Sequence, residues 1–459
     1  MKVFLAVIIC KILYFIGKQV GKGSSLPGKI VLRLFPDVLG SLKLPETIIA
    51  VTGSNGKTTT TELIVQIFKA NGKKVGWNHE GSNQTEGVAT LLLRVASFSG
   101  RVKSDVIVME CDERYAVKIF EKVKPSVLLV TNLCRDQLTR NGHPEFIEDC
   151  IRVSIEAAGD EVLLVLNADD PYVAALATPS KVTQGKVLWF GISPKSDIKP
   201  HIGMYDDGAF CPVCKARMTY DYRIVGHYGK YKCLSCDLKR NETVIEATLM
   251  PVVREEAEAL TDAVNQKDGN LIFNTGDKTN IKLPSITGAY NYCAAVATAN
   301  ATGVSVSDGA KALDGYKLTS GRVIQLSVGD RSGLLLLSKH ENSFAYDCSL
   351  QWIAEQKKPC TVIVLVDAIS RKYYTSETSW FWDIDFDLLT PDYIKNIVLA
   401  GQYVNELTAR FAKTLIKQER IGCVLDLNDL REYIEKHTTG DIYAVTCFSD
   451  KVKLLKALE

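Results

Sequence analysis

The sequence lacks a marked excess of either charge. Its 55 basic and 53 acidic residues leave a formal net charge of +2. Proteins that bind nucleic acid through the phosphates usually concentrate basic residues on one face, so the composition predicts no nucleic-acid partner. Repeats and low-complexity segments are also missing, and 46% of the 459 residues are hydrophobic. These features are typical of a globular protein of two or three domains.

A long hydrophobic run is missing as well. The best candidate for a membrane segment, VFLAVIICKILYFI, covers residues 3–16 and is interrupted by Lys11. A spanning helix needs about 20 apolar residues, and a signal peptide needs a small-residue cleavage site that this stretch lacks. We therefore expect an amphipathic helix packed on the protein. The alternative is peripheral contact with the inner face of the membrane, which the nearby lysines favour: Lys2, Lys11, Lys18, Lys22 and Lys29.

The cysteines lack the pattern of a disulfide framework. There are 13 of them, an odd number, and most lie at scattered positions without regular spacing. Scattered free thiols are typical of proteins that stay in a reducing compartment. The cysteine usage therefore predicts a cytoplasmic protein.

Four cysteines form an exception to this scatter. Cys211, Cys214, Cys233 and Cys236 follow the pattern C-x₂-C-x₁₈-C-x₂-C. In that spacing two knuckles present four thiolates to one tetrahedral Zn²⁺, and four protein ligands leave no position open for water or substrate. We expect a structural zinc, with a redox-active cysteine pair as the alternative. His227, between the knuckles, is expected at the surface rather than in the metal site.

Apolar runs alternate with helical patterns through the first part of the chain. Four of these runs read as strands: ETIIAVTG (46–53), DVIVME (105–110), SVLLVTN (126–132) and EVLLVLN (161–167). Because strands without polar alternation are buried on both faces, they predict a doubly wound parallel sheet. Near Ser320 the pattern restarts with RVIQLSV, GLLLLS, CTVIVLVD and NIVLAG. This second set predicts a smaller α/β domain.

The stretch AVTGSNGKTTT (50–60) joins the end of the first strand to a helix that is expected to end at Asn71. Gly53 and Gly56 let the backbone wrap a phosphate, and the start of the helix adds N–H donors. The lysine that follows supplies positive charge to the β- and γ-phosphates, and a hydroxyl after it can reach Mg²⁺. The strict Walker spacing would place a glycine where Val51 stands, so the sequence predicts a shortened P-loop.

Polar residues end the predicted strands on the same edge of the sheet as the P-loop. Ligands of parallel sheets bind beyond the carboxyl ends of the strands, so acids placed there can hold a metal. The candidates are Glu110, Asp112 and Glu113, then Asn132 and Asp136, then Asn167, Asp169 and Asp170. Each acid alone is more often a cap or a turn residue, but their recurrence at successive strand ends indicates a metal site.

The order of these motifs resembles that of the Mur ligases. The shared elements are G-x-N-G-K-T-T, the strand-end Glu110, T-N-x-x-x-D-x-L, N-x-D-D-P, GAYNYCAAVATA (288–299) and the Gly-Arg pair at 321–322. Within that family the chain resembles the MurT branch. That branch combines an N-terminal arm containing LPGK (26–29), a four-cysteine insertion and a C-terminal Trp motif, here SWFWDIDFD (379–387). The resemblance covers nearly the whole chain.

The resemblance implies a fold and a domain order. The fold is α/β, with a Mur ligase-like P-loop ATPase domain that carries a zinc-ribbon insertion and a smaller α/β C-terminal domain after it. An N-terminal helical arm is expected at 1–45 and the central ATP-binding domain at 46–318. The ribbon is expected at about 205–240 and the C-terminal domain at 319–459.

The resemblance also implies an activity. Ligase subunits of this branch amidate the α-carboxylate of D-glutamate in the stem peptide of lipid II. They use ATP, Mg²⁺ and ammonia from a GatD-like glutaminase partner, and they carry Zn²⁺ in the ribbon. Because this chain shows no recognisable Cys/His glutaminase signature of its own, a separate glutaminase subunit is expected.

Site residues follow from the positions that match the family motifs. Lys57 and Glu377 are the implied catalytic residues, and Thr58 and Glu110 are the implied magnesium ligands. The implied ATP-binding residues are Gly53, Asn55, Gly56, Lys57, Thr58, Thr59, Asn291 and Arg322.

The C-terminal half departs from the family pattern in two loops. Residues 339–343 read KHENS where the family has Lys-Asn-Pro-x-Gly, and residues 373–377 read YYTSE where it has Ala-Asp-Gly-x-Asp. Glu377 thus stands in the place of the family's catalytic aspartate, and Asp367 and Asp383 are the next candidates for its role. The departures leave a second hypothesis open: a divergent Mur ligase paralogue that acts on another carboxylate, or a nucleotide-binding regulatory partner.

Overall fold

The structure is a computed structural model, and the residues that it describes are 1–19, 23–78, 82–177, 187–196, 199–251, 268–282, 285–318, 323–367 and 378–459. Two of the predicted site residues, Arg322 and Glu377, lie outside the described residues. The loop YYTSE at 373–377 lies outside them as well.

The first sheet and its insertion use the strands up to residue 282. These are β1 (Thr47–Thr52), β2 (Val75–Trp77), β3 (Val106–Glu110), β4 (Val127–Val130), β5 (Leu163–Asn167), β6 (Val187–Ile192), β7 (Met218–Val225), β8 (Tyr228–Cys233), β9 (Ile245–Pro251), β10 (Asp268–Phe273) and β11 (Lys278–Lys282). The sheet order is β11-β10-β9-β6-β5-β4-β1-β3-β2, and β7 and β8 form a separate hairpin. In this sheet order, every neighbouring pair from β9 to the edge strand β2 is parallel. Strands β10 and β11 continue the sheet in antiparallel pairing.

Helices cover both faces of this sheet. They are α1 (Lys2–Gln19), α2 (Leu26–Leu34), α3 (Lys57–Ala70), α4 (Thr85–Val95), α5 (Ala116–Phe120), α6 (Leu138–Asn141), α7 (Pro144–Ala158), α8 (Pro171–Ala175), α9 (Ile286–Asn300) and α10 (Val306–Leu313), with a short 3₁₀ turn at Leu39–Ser41. Ile48 and Ala50 of β1 pack in the core with α4 and α7. Ile49 and Val51 pack in the core with α3 and α9. This alternation explains why the strand sequence is apolar throughout.

The remaining chain forms a second α/β unit. Its elements are β12 (Val323–Val328), β13 (Arg331–Ser338), α11 (Ser343–Glu355), β14 (Cys360–Leu365), β15 (Ile394–Ala400), α12 (Val404–Phe411), β16 (Ile421–Val424), α13 (Leu430–His437), β17 (Asp441–Cys447) and α14 (Lys451–Leu458), with 3₁₀ turns at Ser379–Asp383, Phe386–Leu389, Gln418–Arg420 and Leu427–Asp429. The sheet order is β12-β13-β17-β14-β15-β16. Only the β12–β13 pairing is antiparallel among these described strands.

The predicted parallel strands and the doubly wound sheet are confirmed. The four predicted strands of the first sheet are shorter than the apolar runs that predicted them, and β4 is shortened most, since it ends at Val130 and not at residue 132. Beyond the strand, the Thr131 N–H still donates to the Thr52 oxygen at 3.0 Å, and the side chains of Thr131 and Asn132 bond to the P-loop backbone. The two sheets agree with the predicted order of units, and the predicted domain boundaries stay a prediction.

The N-terminal helices pack on the first unit through part of their surface. Ala6, Val7 and Cys10 of α1 join the core beneath α4. The opposite side of α1 exposes apolar side chains, including Ile12 and Phe15. Within the part of the chain that the structure describes, every helix is too short or too polar to cross a bilayer.

Candidate active site

The P-loop lies between β1 and α3 and requires glycine at two positions. Gly53 and Gly56 have φ values of 125° and 80°, which residues other than glycine rarely adopt. A Cβ atom on Gly53 would collide with the Thr131 side chain, and one on Gly56 would collide with Asn291. The backbone of the turn therefore packs directly against the end of β4 and against α9.

Lys57 is the first residue of α3 and its side chain is buried. Its Nζ pairs with the carboxylate of Glu113 and donates to the main-chain oxygen of Gly53. Burial lowers the pKa of Lys57, but Glu113 and then Asp136 outweigh burial and raise it to about 12. The lysine is thus a fixed positive charge beside the phosphate-binding turn.

Side chains at the end of β4 hold the P-loop in place. Asn132 Oδ1 accepts from the Asn55 N–H at 2.8 Å, and its Nδ2 donates to the Asn55 oxygen at 3.0 Å. Thr131 Oγ1 donates to the same oxygen at 2.8 Å. The T-N pair found in the sequence therefore acts on the P-loop backbone.

Glu110, at the end of β3, is a buried carboxylate with one uncommitted oxygen. Oε1 accepts from Asn83 Nδ2 at 3.1 Å, whereas Oε2 is buried and has no hydrogen-bond partner among the described residues. Thr58, in the first turn of α3, is partly exposed. A carboxylate oxygen and a hydroxyl are donors that suit Mg²⁺, so these residues fit the predicted magnesium site.

Asp169 and Asp170 do not serve a metal, contrary to the sequence prediction for the third strand end. Asp169 accepts from Arg240 Nε at 2.6 Å, and burial raises the pKa of its carboxyl although Arg240 opposes the rise. Asp170 caps α8 by accepting from the N–H groups of Tyr172 and Val173. Both carboxylates are fully committed to the fold.

Two residues of the second unit reach the P-loop. Lys339 Nζ donates to the Ser54 oxygen at 2.8 Å and lies 3.1 Å from Asp136 Oδ2. Asn342 Nδ2 donates to Asn55 Oδ1 at 2.8 Å and to Asp136 Oδ1 at 2.7 Å. The loop KHENS, which departs from the family pattern in sequence, thus closes one side of the phosphate site.

A cavity of about 170 Å³ lies beside the P-loop. It is lined by Asn55 and Gly56, by Asn291 of α9 and by Leu336, Phe344 and Trp352 of the second unit. Asn291 Oδ1 also accepts from Thr60 Oγ1 at 3.2 Å. The structure therefore brings the predicted P-loop residues and Asn291 together around a space with polar and apolar walls, which is typical of a nucleotide site.

The four predicted metal ligands lie together at the end of the β7–β8 hairpin. The Sγ atoms of Cys211, Cys214, Cys233 and Cys236 all lie within 4.8 Å of one another. Two of the separations are 3.6 Å and 3.4 Å, and a tetrahedral site with Zn–S bonds of about 2.3 Å requires about 3.8 Å. The donor set therefore fits zinc.

The expectation that His227 lies at the surface is wrong. Its side chain is buried, and Nε2 lies 3.3 Å from Asp170 Oδ1. Its ring packs edge-on against Tyr228 and Tyr172. The histidine belongs to the contact between the hairpin and α8 and lies apart from the cysteine cluster.

Sequence reasoning missed Lys339, Asn342 and Tyr228, which also lines the cavity. A signal was present for the first two, because they follow β13 directly and ligands of such sheets bind beyond the carboxyl ends of the strands. No sequence signal pointed to Tyr228, since its role depends on where the hairpin packs.

Fold and site together define a P-loop nucleotide-binding protein in which a second α/β unit closes over the phosphate site. Two family models match the chain, the Mur ligase middle domain at residues 51–231 and the MurT ligase C-terminal domain at residues 339–450. Together they cover more than half of the chain. The chain belongs to the Mur ligase family, in its MurT branch.

Curated relatives match nearly the whole chain. One is the lipid II isoglutaminyl synthase (glutamine-hydrolyzing) subunit MurT of Streptococcus pneumoniae, 27% identical over 97% of this chain and 94% of its own length. The subunit of the same name from Staphylococcus aureus is 27% identical over 89% of this chain and 87% of its own length.

Solved structures share the fold. A pseudomurein peptide ligase type C from Methanothermus fervidus matches with a TM-score of 0.65 and 20% identity over 93% of this chain and 83% of its own. MurF ligase from Thermotoga maritima in complex with ADP matches with a TM-score of 0.61 and 15% identity over 94% and 83% of the two chains. The α/β architecture predicted from the sequence is thereby confirmed.

Proposed function

We propose that the chain is the ATP-dependent ligase subunit of a lipid II isoglutaminyl synthase. It amidates the α-carboxylate of D-glutamate in the stem peptide of lipid II, and the product is D-isoglutamine. The observation that carries this proposal is the likeness to the MurT subunits along 97% of the chain, together with a P-loop that keeps its lysine. Peptidoglycan synthesis is therefore the process that the protein serves.

The first step is phosphoryl transfer. An oxygen of the substrate carboxylate attacks the γ-phosphorus of ATP, the bond to the β,γ-bridging oxygen breaks, and ADP leaves. Lys57 neutralises charge that develops on the transferred group, and its raised pKa keeps it protonated at working pH. The backbone N–H groups between Gly53 and Thr58 cradle the phosphates.

Magnesium fits the same site. Thr58 and Glu110 would hold it, since Glu110 has an uncommitted buried oxygen. When bound there, the ion would supply Lewis-acid stabilisation of the phosphate oxygens. Asn55, Thr59, Asn291 and Arg322 complete the proposed nucleotide site.

The second step forms the amide. Ammonia attacks the acyl carbon of the acyl phosphate, phosphate leaves, and the nitrogen loses a proton. A GatD-like glutaminase subunit supplies the ammonia by hydrolysing glutamine. We assign Glu377 to the place where ammonia arrives, because it matches the position of the family's catalytic aspartate in sequence.

Zinc has a structural part in this proposal. The four cysteines close the base of a hairpin whose own apolar cluster is small and packs on α8: Ala174, Ala175, Cys211, Met218, Tyr231 and Leu238. Four thiolates leave no ligand position for substrate, so the ion stabilises the insert and takes no part in ligation.

An ammonium-driven assay tests the ligase chemistry of this chain by itself. The purified protein, ATP, Mg²⁺ and lipid II are incubated with a high concentration of ammonium chloride, and the stem peptide is examined by mass spectrometry. We expect conversion of one carboxyl group to an amide, with ADP and phosphate released in equal amounts. Amidation of a different carboxylate of the stem peptide, with the α-carboxylate of D-glutamate unchanged, would favour the divergent-paralogue alternative.

We also infer peripheral contact with an anionic membrane surface through α1. Its outward side exposes Leu5, Ile12, Phe15 and Ile16, and Phe15 is 69% exposed. The sequence has no acidic residue before Asp37. Apolar side chains flanked by lysines are typical of helices that lie in the membrane interface, where lipid II is held.

Vesicle sedimentation tests this contact. The protein should sediment with vesicles that contain phosphatidylglycerol and much less with neutral vesicles, and Phe15→Glu should weaken binding. Leu425→Glu is the matched control, because Leu425 is 74% exposed in the second unit and outside the proposed surface. Equal binding by both variants would contradict the assignment to α1.

A further inference from the structure

The four-cysteine hairpin contributes directly to the wall of the nucleotide cavity. Tyr228, the first residue of β8, lines the cavity beside Asn55 and Gly56. Its ring packs edge-on against Tyr290 at 5.4 Å and lies 5.6 Å from Phe344. Cys233 is the last residue of the same six-residue strand. One short strand thus joins the cysteine cluster to the cavity.

Two residues that line the cavity, Tyr228 and Ser338, carry buried hydroxyl groups that have no hydrogen-bond partner among the described residues. Tyr228 is 2% exposed. Buried hydroxyls are nearly always paired in native proteins, so an unpaired one in a cavity wall indicates a ligand group. Burial raises the pKa of Tyr228 well above its usual value, so the hydroxyl stays neutral and can both donate and accept.

Asp169 connects the hairpin to the helix that carries Asn291. Its carboxylate accepts from Arg240, just beyond the cysteines, at 2.6 Å, and from Tyr290 OH at 2.8 Å. Its main-chain oxygen accepts from the Gly229 N–H at 2.9 Å. Because these groups are buried and charge-assisted, a displaced hairpin would disturb both Tyr228 and α9.

We propose that Tyr228 hydrogen-bonds the base of the bound nucleotide and that the zinc-closed hairpin positions it there. The inference rests on the proposed nucleotide site and adds a determinant of base recognition to it. A fixed buried hydroxyl favours bases whose edge pairs with it and disfavours those that leave it unpaired. Zinc therefore affects nucleotide affinity through the hairpin, without touching the phosphates.

Calorimetric titration with ATP and with inorganic tripolyphosphate tests the base contact. Tyr228→Phe should bind ATP roughly threefold to tenfold more weakly, as expected for one hydrogen bond, and should bind tripolyphosphate unchanged. Tyr231→Phe is the matched control, because its hydroxyl donates to the Ala168 oxygen at 3.1 Å and does not line the cavity. This control should keep wild-type ATP affinity.

Wild-type ATP affinity in Tyr228→Phe would overturn the proposal. An equal loss of tripolyphosphate binding would overturn it too, because the hydroxyl would then act on the P-loop. If the wild-type protein bound neither probe, the nucleotide site itself would be wrong, which is a failure of the proposed function and is distinct from the other results.

The zinc link has its own measurement. Cys214→Ser, or wild-type protein treated with a chelator, should lose zinc by metal analysis and bind ATP more weakly while tripolyphosphate binding persists. Zinc-free protein that bound ATP with unchanged affinity would overturn the positioning role of the hairpin.

Discussion

Lys57 is the residue on which the phosphate chemistry depends. It is held between Glu113 and the P-loop backbone. Because its pKa is raised to about 12, the charge persists across the whole physiological range. A lysine that is already ordered and charged loses little freedom when a phosphate arrives, which favours a fast transfer step.

Replacing Lys57 should remove that contribution. Lys57→Ala is expected to lower ATP turnover by a factor of at least about 100, as loss of a transition-state charge contact does. Lys69→Ala is the control, since Lys69 is an exposed lysine in the last turn of the same helix. Circular dichroism should show that both variants remain folded. Wild-type turnover in Lys57→Ala would contradict the proposed site.

Glu377 carries the largest departure from the family pattern. If it does the work of the family's aspartate, Glu377→Gln should strongly suppress glutamine-dependent amidation and leave ATP binding unchanged. Glu377→Asp should be tolerated better, because it keeps the charge and shortens the reach by one methylene. Amidation at the wild-type rate in Glu377→Gln would move the acid role to Asp367 or Asp383.

The hairpin is the element whose stability depends most on the metal. Cys233→Ser should abolish stoichiometric zinc and lower the melting temperature, because the small cluster beneath the hairpin cannot hold it alone. Cys423→Ser is the control, since Cys423 is an exposed thiol outside the cluster. Metal analysis of native wild-type protein should find one zinc per chain, and its absence would refute the metal assignment.

The segment around His201 links the first unit to α11. His201 Nε2 lies 3.6 Å from Asp347 Oδ2 and 3.7 Å from Asp385 Oδ2. Burial lowers the pKa of His201, but Asp347 and Asp385 outweigh burial and raise it. The folded state thus binds this proton more tightly than the unfolded state, so its stabilisation is complete below about pH 6.5 and is lost as the pH rises through the folded pKa.

Because the pKa of His201 is raised on folding, removing this side chain should destabilise the protein more at low pH than at high pH. His201→Gln should lower the melting temperature more at about pH 6 than at about pH 9, because the stabilising proton is lost as the pH rises through the folded pKa. Thermal melts of both proteins across that range measure the difference. A destabilisation that is the same at every pH would show that the ion pair contributes nothing.

The sequence predicted the elements better than the contacts between them. Periodicity located β1, β3, β4 and β5, because strands buried on both faces must be apolar throughout. The strand-end rule placed Glu110 at the end of β3, where its role as a magnesium ligand stays a prediction, but Asp169 follows the same rule and serves the fold instead. The difference lies in Arg240, which is distant in sequence and reaches Asp169 only once the hairpin is packed.

At the scale of the whole molecule, the P-loop is one of the places where the two units meet. The first unit supplies the P-loop, and the second supplies Lys339 and Asn342, which donate to its backbone and side chains. Asp136 accepts from both residues, and its negative charge offsets the positive charge of Lys339. The second unit therefore completes the wall of the nucleotide site.

The transfer of a labelled nitrogen tests the central claim most directly. The chain is purified with its GatD-like partner and supplied with lipid II, ATP and glutamine that carries an isotopic label in its amide group. The label is expected in the α-amide of D-isoglutamine in lipid II, with one ADP formed for each labelled nitrogen and no transfer by the Lys57→Ala complex. Steady hydrolysis of ATP and glutamine without label in lipid II would contradict the proposal.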